Sequence, residues 1–446
     1  MKHTIKESSS LRHTTGSPTD EFARWLPLCG TGECLLLVDF TLEQYWLPDA
    51  APIALTAIYC VNGDKELSVS VTANALHSSH SACMEQYANW AQEHGFAKVV
   101  IGEAVALAPQ YIGKPWGREI WFSGAEARGV CCVTTEDGET PIPWIQAVMP
   151  AERFGRPGIP PILLKILDPV SEPVTGDLYF ELHEEKREVY VVMNIDSRAW
   201  PDGTGYIRFG FAADKLALYK DEELFRDAYL AAVRKYEKVR REFDSYLEME
   251  QTPNVGHGPE PELVALERQL RSEMDSFTNL KPLKVGDVVK VPLLTPHSLQ
   301  HGVRTVEFQT PVYERKILSF GQKVLTQAHW DTQEAVAKMV LGQPQPEAFE
   351  VLQRGGGVLI ERIVDFNDFE VRRVSLDCGQ ALGDLIVEQY ALVMVVGGVL
   401  QLSGTLYGPE QALLLPGGWN GSLVAAQPSA RLVLLLALPQ NRAVES

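Results

Sequence analysis

Apolar positions along this chain recur at two different spacings, and the places where the spacing changes divide it. Between residues 25 and 75 the apolar residues form short strand-like runs: Cys34 to Phe40, Ile53 to Tyr59 and the strictly alternating Leu67 to Thr72. Residues 76 to 95, with Ala82, Met84, Tyr87, Trp90 and Ala91, fit a helix. From Lys114 onward, strand-like segments alternate with Gly and Pro turns as far as Lys220, where the period shifts abruptly. Leu224, Ala228, Tyr229, Ala232, Val233, Tyr236, Val239, Phe243 and Leu247 then recur mostly three and four apart, which predicts a helix over 221–248. Leu263, Leu266, Leu270, Met274 and Phe277 predict a second over 260–277, with a Pro- and Gly-rich loop from Thr252 between them.

Strand character resumes at Leu283 and runs to about Gln327, followed by a short predicted helix over 333–341. From Val358 to Pro439 the chain is dense in short apolar runs, among them Ala391 to Val396, Ala412 to Pro416 and Ala430 to Ala437. Short strands separated by turn residues predict a mainly β protein built from barrels or sandwiches. The expected partition is a disordered start over 1–20, a small α+β module over 21–110, and a β-barrel domain from 111–220 and 279–345. A helical insertion over 221–278 and a second β-barrel over 346–446 complete it. The stripes of the insertion serve either as a dimer surface or, as amphipathic helices more often do, as a cover for their own domain. The residues assign no oligomeric state.

Charge and composition narrow the partners. A formal charge of −18 and a pI near 5.1 oppose nucleic-acid binding, because phosphate neutralisation requires clustered Lys and Arg. Met1 to Asp20 is polar, and no later apolar run reaches the length of a membrane span, so no membrane partner is expected. Seven cysteines, scattered and odd in number, predict reduced thiols and a cytoplasmic protein; Cys29 and Cys34 are a weak zinc hint.

The chemistry gathers in two segments. Gly176-Asp-Leu-Tyr-Phe-Glu181-Leu-His183 runs on through Glu-Glu-Lys-Arg to Glu188, and Gly286 is followed six residues later by Pro292 and then, five further on, by His297. Residues 181 and 183, two apart, share one face of a strand. In this order the segments resemble the two halves of the cupin metal motif, with Glu181 where the first His usually stands. The bland alternative is that Glu181 and Glu188 are surface carboxylates and His183 and His297 satisfied barrel histidines. Two imidazoles and two carboxylates suit zinc, iron, manganese or cobalt. Both carboxylates together neutralise a dication, which weakens it as a Lewis acid relative to a site with a neutral amide.

The chain further resembles type I phosphomannose isomerases, members of the cupin superfamily. The resemblance lies in Lys114-Pro-Trp-Gly, Pro161-Ile-Leu-Leu-Lys165-Ile-Leu-Asp168, Val291-Pro to His297, Gly302 to Glu307-Phe-Gln309 and His329-Trp330, in family order from about residue 114 to 438. It implies two jelly-roll cupin domains, the second without metal and serving packing. It also implies one divalent ion, zinc first among the candidates, held by Glu181, His183, Glu188 and His297. The implied activity is interconversion of mannose 6-phosphate and fructose 6-phosphate, a sugar-phosphate substrate. Arg315 would support the enediolate, Lys165 would serve phosphate binding or proton transfer, and Glu307 would be the base. Surface exposure for Arg315, simple extension of the Lys165 ammonium to the barrel mouth and a structural ion pair for Glu307 are the competing readings. The chain departs from the family in placing Glu181 where Gln stands and in reaching Glu188 through a short turn rather than a long loop. Another cupin metalloenzyme, an oxygenase or an isomerase of another sugar, and a non-catalytic sugar-binding cupin are the rival functions.

Overall fold

The structure is a computed structural model that describes residues 11–440 apart from 31, 48, 74–92, 251–258, 325–326, 328, 345–347 and 428–429; over 247–250 it describes no side chain. It is mainly β, as the patterning predicts. The chain forms two compact units, one from residues 1–110, 121–164 and 349–446, the other from 111–120 and 165–348.

The first unit begins earlier than expected. Residues Leu11–Thr15, read from their polarity as part of a disordered start, are a strand, and a helix follows at Pro18–Trp25. The strand pairs in parallel with Cys34–Leu42, so its order comes from backbone bonds to a distant partner, which polarity does not register. Cys34–Leu42, Ile53–Val61 and Leu67–Thr72 form the three predicted strands of a five-stranded sheet. The helix expected over 76–95 lies almost wholly outside the described residues.

The chain's end builds a nine-stranded sheet in the same unit. Tyr390–Gly397, Leu432–Pro439 and Phe369–Leu376 lie at its centre, and Val105–Leu107 and Cys132–Thr135 extend it through Ala412–Pro416. The stretch from Lys114 to Lys220 is thus not uniformly strand. Ile142–Val148 and Ala151–Phe154 are helices, and the segment 121–164 joins the unit that contains the C-terminal strands.

The second unit holds two sheets. One has six strands in the order Val288–Val291, Glu188–Ile195, Val303–Gln309, Leu163–Pro169, Gly117–Ser123 and Gln110–Lys114. The other has five, Thr278–Leu283, Gly205–Phe211, His297–Leu299, Phe180–Leu182 and Lys316–Ser319. Tyr190, Val192 and Val303 of the first share one apolar core with Ile207, Phe209, Leu299 and Ile317 of the second. On the other face of the five-stranded sheet Phe180, Leu182 and Leu318, together with Phe211 beyond the register shift after Arg208, meet the helices.

Those helices span Glu222–Glu250 and Pro261–Asp275, close to the predicted limits, and Thr332–Lys338 is the third. The long helix buries Phe225, Tyr229, Ala232, Val233 and Tyr236 against the sheet, while Leu224 remains 48% exposed. The buried stripe therefore begins one residue later than the sequence pattern indicates, because Phe225 stacks edge-on with Phe211 and Phe277. This is the self-covering role for the insertion. Phe225→Ala is expected to cost about 3–5 kcal/mol and Leu224→Ala no more than about 0.5 kcal/mol, read from urea midpoints of the two variants against the parent; equal losses would place the stripe wrongly.

Candidate metal centre and active site

Local backbone features bring the two motif segments together. Gly176 has no room for a side chain, since a Cβ there would lie 2.1 Å from the Val170 carbonyl oxygen. The strand that follows carries Glu181 directly opposite His297, with a bulge between Phe180 and Glu181. Leu294, a non-glycine residue at φ 61°, turns the chain into His297, and its N–H donates to the His183 carbonyl at 2.8 Å. A bulky residue in that conformation is strained, and such strain concentrates at sites the surrounding fold holds in place.

Each imidazole is oriented by its Nδ1. In His183 that nitrogen donates to the Glu314 carbonyl at 3.0 Å, and in His297 to the Thr295 carbonyl at 3.0 Å. Glu314 also accepts, through its carboxylate, the backbone N–H groups of Glu184 and Glu185, which fixes the turn after His183. With Nδ1 turned to a carbonyl, each ring aims its Nε2 at a carboxylate. His183 Nε2 lies 3.4 Å from Glu188 Oε2 and 3.7 Å from Glu181 Oε1, and His297 Nε2 is 3.1 Å from Glu188 Oε2. Burial, reinforced by the Lys186 ammonium, holds His183 below the usual histidine range, so its ring favours the neutral form.

A lone pair facing a carboxylate oxygen calls for a cation between them. His183 Nε2 and Glu181 Oε2 are buried without a hydrogen bond, and one ligand atom from each of Glu181, His183 and His297 lies within 4.8 Å of the others. These residues fit a divalent ion with nitrogen and oxygen ligands, each histidine having the carbonyl partner that typically orients a metal-binding ring. Glu188 touches both histidines and is also engaged elsewhere. Its Oε1 is 2.5 Å from Lys186 Nζ, and its Oε2 accepts from the Tyr190 hydroxyl at 2.8 Å. Burial alone would raise Glu188, but Lys186 and the histidines outweigh it and hold the carboxyl well below the ordinary range.

The six-stranded sheet continues the site. Glu188, Glu307, Lys165, Glu119 and Lys114 stand on five successive neighbouring strands, all buried or half-buried. Lys165 Nζ is 3.1 Å from Glu307 and 4.0 Å from Glu119, and Glu119 is 3.2 Å from Lys114. Lys165, read from sequence as a catalytic candidate, is thus inside the sheet row. Burial would lower its pKa, but Glu119 and Glu307 outweigh burial and keep it charged. Glu307 is raised well above the usual carboxylate range, first by burial and then by the neighbouring Glu188 charge, against the pull of Lys165. Two nearby carboxyls with pKa values driven apart are suited to different tasks, and the raised one is the stronger base. Arg315 Nη1 is 3.7 Å from Glu181, and its guanidinium sits 4.5 Å from the Tyr179 ring centroid, so it faces the site.

Three participants escaped the sequence reading. Lys186 and Tyr190 flank Glu188 two residues away on either side, a spacing that places them on its face of the chain, but this is a signal only once Glu188 is fixed. Glu119 lies in the Lys114-Pro-Trp-Gly stretch, where only sheet pairing reveals its neighbour Lys165.

Two sheets that share an apolar core, with a buried imidazole–carboxylate cluster beside it, make this unit a mainly β protein with a candidate metal site. No protein-family model and no curated protein matches the chain in sequence. Among solved structures its fold matches mannose 6-phosphate isomerase from Bacillus subtilis, with a TM-score of 0.51 at 14% identity over 75% of this chain and 99% of that one. A mannose 6-phosphate isomerase bound with zinc and yttrium matches with a TM-score of 0.50 at 14% identity, covering 76% of this chain and 100% of that one. The apo form of the enzyme from Salmonella typhimurium matches with a TM-score of 0.50 at 14% identity, covering 76% and 99%. The chain therefore has the mannose 6-phosphate isomerase fold. Among the described residues no helix is long and apolar enough to cross a membrane.

Replacing His297 or His183 with Ala should remove most bound zinc at equal free metal, measured by elemental analysis after gel filtration; full occupancy in both would overturn the ligand set. The raised carboxyl gives a pH test. A folded pKa above the unfolded value, about 4.3, means the native state binds more protons, so Glu307 favours folding at low pH and that contribution falls as pH rises through the raised value. Urea midpoints of metal-free Glu307→Gln should therefore gain on the parent as pH increases from 5 to 8; parallel curves would refute the shift.

Proposed function

We propose that this protein is a metal-dependent aldose–ketose isomerase of hexose 6-phosphates that interconverts mannose 6-phosphate and fructose 6-phosphate. The observation that carries the reading is the pair of imidazoles whose Nε2 atoms face buried carboxylates beside a raised carboxyl, Glu307. The fold, shared with solved mannose 6-phosphate isomerases, supports the same reaction class.

Charge accounting favours a phosphorylated substrate. The carboxylates Glu119, Glu181, Glu188 and Glu307 are formally balanced by Lys114, Lys165, Lys186 and Arg315. A divalent ion added to this balanced set leaves two positive charges, which a sugar-phosphate dianion neutralises in a medium where uncompensated charge is costly.

Glu181, His183 and His297, with Glu188 against both rings, are the residues that would hold the ion, with zinc favoured by the nitrogen and oxygen donors. Bound there, it supplies electrostatic stabilisation of negative charge on substrate oxygen. Glu307 takes the proton from C2 of the aldose and returns it to C1 of the cis-enediolate while the O2 hydroxyl proton passes to O1, and Lys165 holds that carboxyl in position. Arg315, anchored over Tyr179 near Glu181, offers a fixed positive charge to the enediolate oxygens. The buried walls exclude water from the reacting carbons.

A coupled assay for fructose 6-phosphate formation should show turnover in zinc-loaded protein and lose it with chelator. Glu307→Gln should reduce kcat by about 10²- to 10⁴-fold with zinc content unchanged. Glu181→Gln, which removes one negative charge from the ligand set, should retain the metal and an equal or higher rate. A fully metallated sample without hexose-phosphate turnover would reject the isomerase, and stoichiometric iron with oxygen uptake would point to an oxygenase instead.

A further inference from the structure

The unit that contains the chain's end carries a cleft of about 790 Å³, separate in sequence from every residue of the site above. Its floor is the start of the strand Phe369–Leu376. Val374 and Leu376 point into the apolar core, and by strand alternation Glu370 and Arg372 continue that same face into the cleft. Arg362 stands directly opposite Arg372 in the neighbouring strand, so two guanidinium groups oppose each other across the ladder. Like charges in that register are unfavourable, and Glu370, 3% exposed, sits between them with its Oε2 2.7 Å from Arg362 Nε and its Oε1 against Arg372.

A buried carboxylate held between two half-buried guanidinium groups is a poor way to stabilise a sheet, since apolar side chains of similar size generally do as well or better. It does provide a wall of fixed, planar hydrogen-bonding groups. Asp384, Glu388 and Gln389 line the cleft on another segment, and Leu352, Leu385 and Ile386 supply an apolar side, with Ile386 79% exposed.

We propose that this cleft is a binding site for an unphosphorylated mono- or disaccharide. Carboxylate, amide and guanidinium groups present paired polar atoms that match vicinal hydroxyls, and the Leu and Ile side chains cover the sugar's C–H faces. Among the described residues, Asp384 and Glu388 outweigh the one positive charge that Arg362 and Arg372 leave around Glu370, which disfavours phosphate or carboxylate ligands. Among the described residues Tyr390 is the one lining ring; it is buried and its hydroxyl accepts the Ile162 N–H at 2.9 Å, so these residues offer no open aromatic platform for a nucleobase. The C-terminal β domain, to which the family resemblance gives a packing role alone, then has a ligand of its own.

The test is isothermal titration of the full-length protein with glucose, mannose and maltose, and with mannose 6-phosphate for comparison, each in parent and in His297→Ala. Saturable binding of at least one neutral sugar is expected, unaffected by chelator or by His297→Ala, and weakened at least tenfold by Glu388→Leu. Gly383→Trp should block it, because a Cβ at Gly383 meets only Ser422 Oγ at 3.5 Å and the ring must fill the cleft mouth. Absence of saturable binding across the panel, unchanged affinity in both cleft variants, or tighter binding of mannose 6-phosphate in His297→Ala would each overturn the proposal.

Discussion

Charge buried inside a β sandwich must be answered by charge, and the second unit is organised around that requirement. Each ionic side chain in the row from Lys114 through Glu119, Lys165 and Glu307 to Glu188 and Lys186 lies on a different strand or turn from the partner it needs. Moving one of these strands by a single residue would turn its charge to the opposite face and leave two partners unmatched in a low-dielectric interior. The row thus fixes strand register together with the apolar core. It also sets the chemistry, because burial raises Glu307 while neighbouring cations hold Glu188 down.

The two sheets divide the work. The five-stranded sheet contributes Glu181 and His297 as a cross-strand pair, and places His183 at the end of the same short strand. The six-stranded sheet supplies the carboxylates and lysines. Helices on the outer face of the five-stranded sheet bury Phe225, Tyr229 and Phe277 there, which leaves the inner face to polar groups without exposing apolar area. The strained turn at Leu294 and the missing Cβ at Gly176 are local costs offset by that packing.

Glu188 shows how context modifies a motif. Its spacing from His183 places it among the ligands, and in the structure it contacts both imidazoles. It also takes an ammonium from Lys186 and a hydroxyl from Tyr190, so in this charge balance it links the imidazole cluster to the lysine row.

Local pattern determined much of this protein. The strand alternation, the two helices of the insertion and the imidazole spacing were all legible, because side-chain period and turn residues act over a few positions. Strand geometry alone puts Glu181 and His183 on one face, and the resemblance to the cupin motif singled out His297; the structure brings the three together. What only the tertiary structure decided were pairings between distant segments: Leu11–Thr15 ordered by the strand at Cys34, the segment 121–164 joining the C-terminal strands, and the burial of Phe225 rather than Leu224. The roles of Lys186 and Glu119 belong to the same class. A charged residue reads as surface until its counter-charge is known, and that counter-charge arrives from elsewhere in the sequence only when the sheets close.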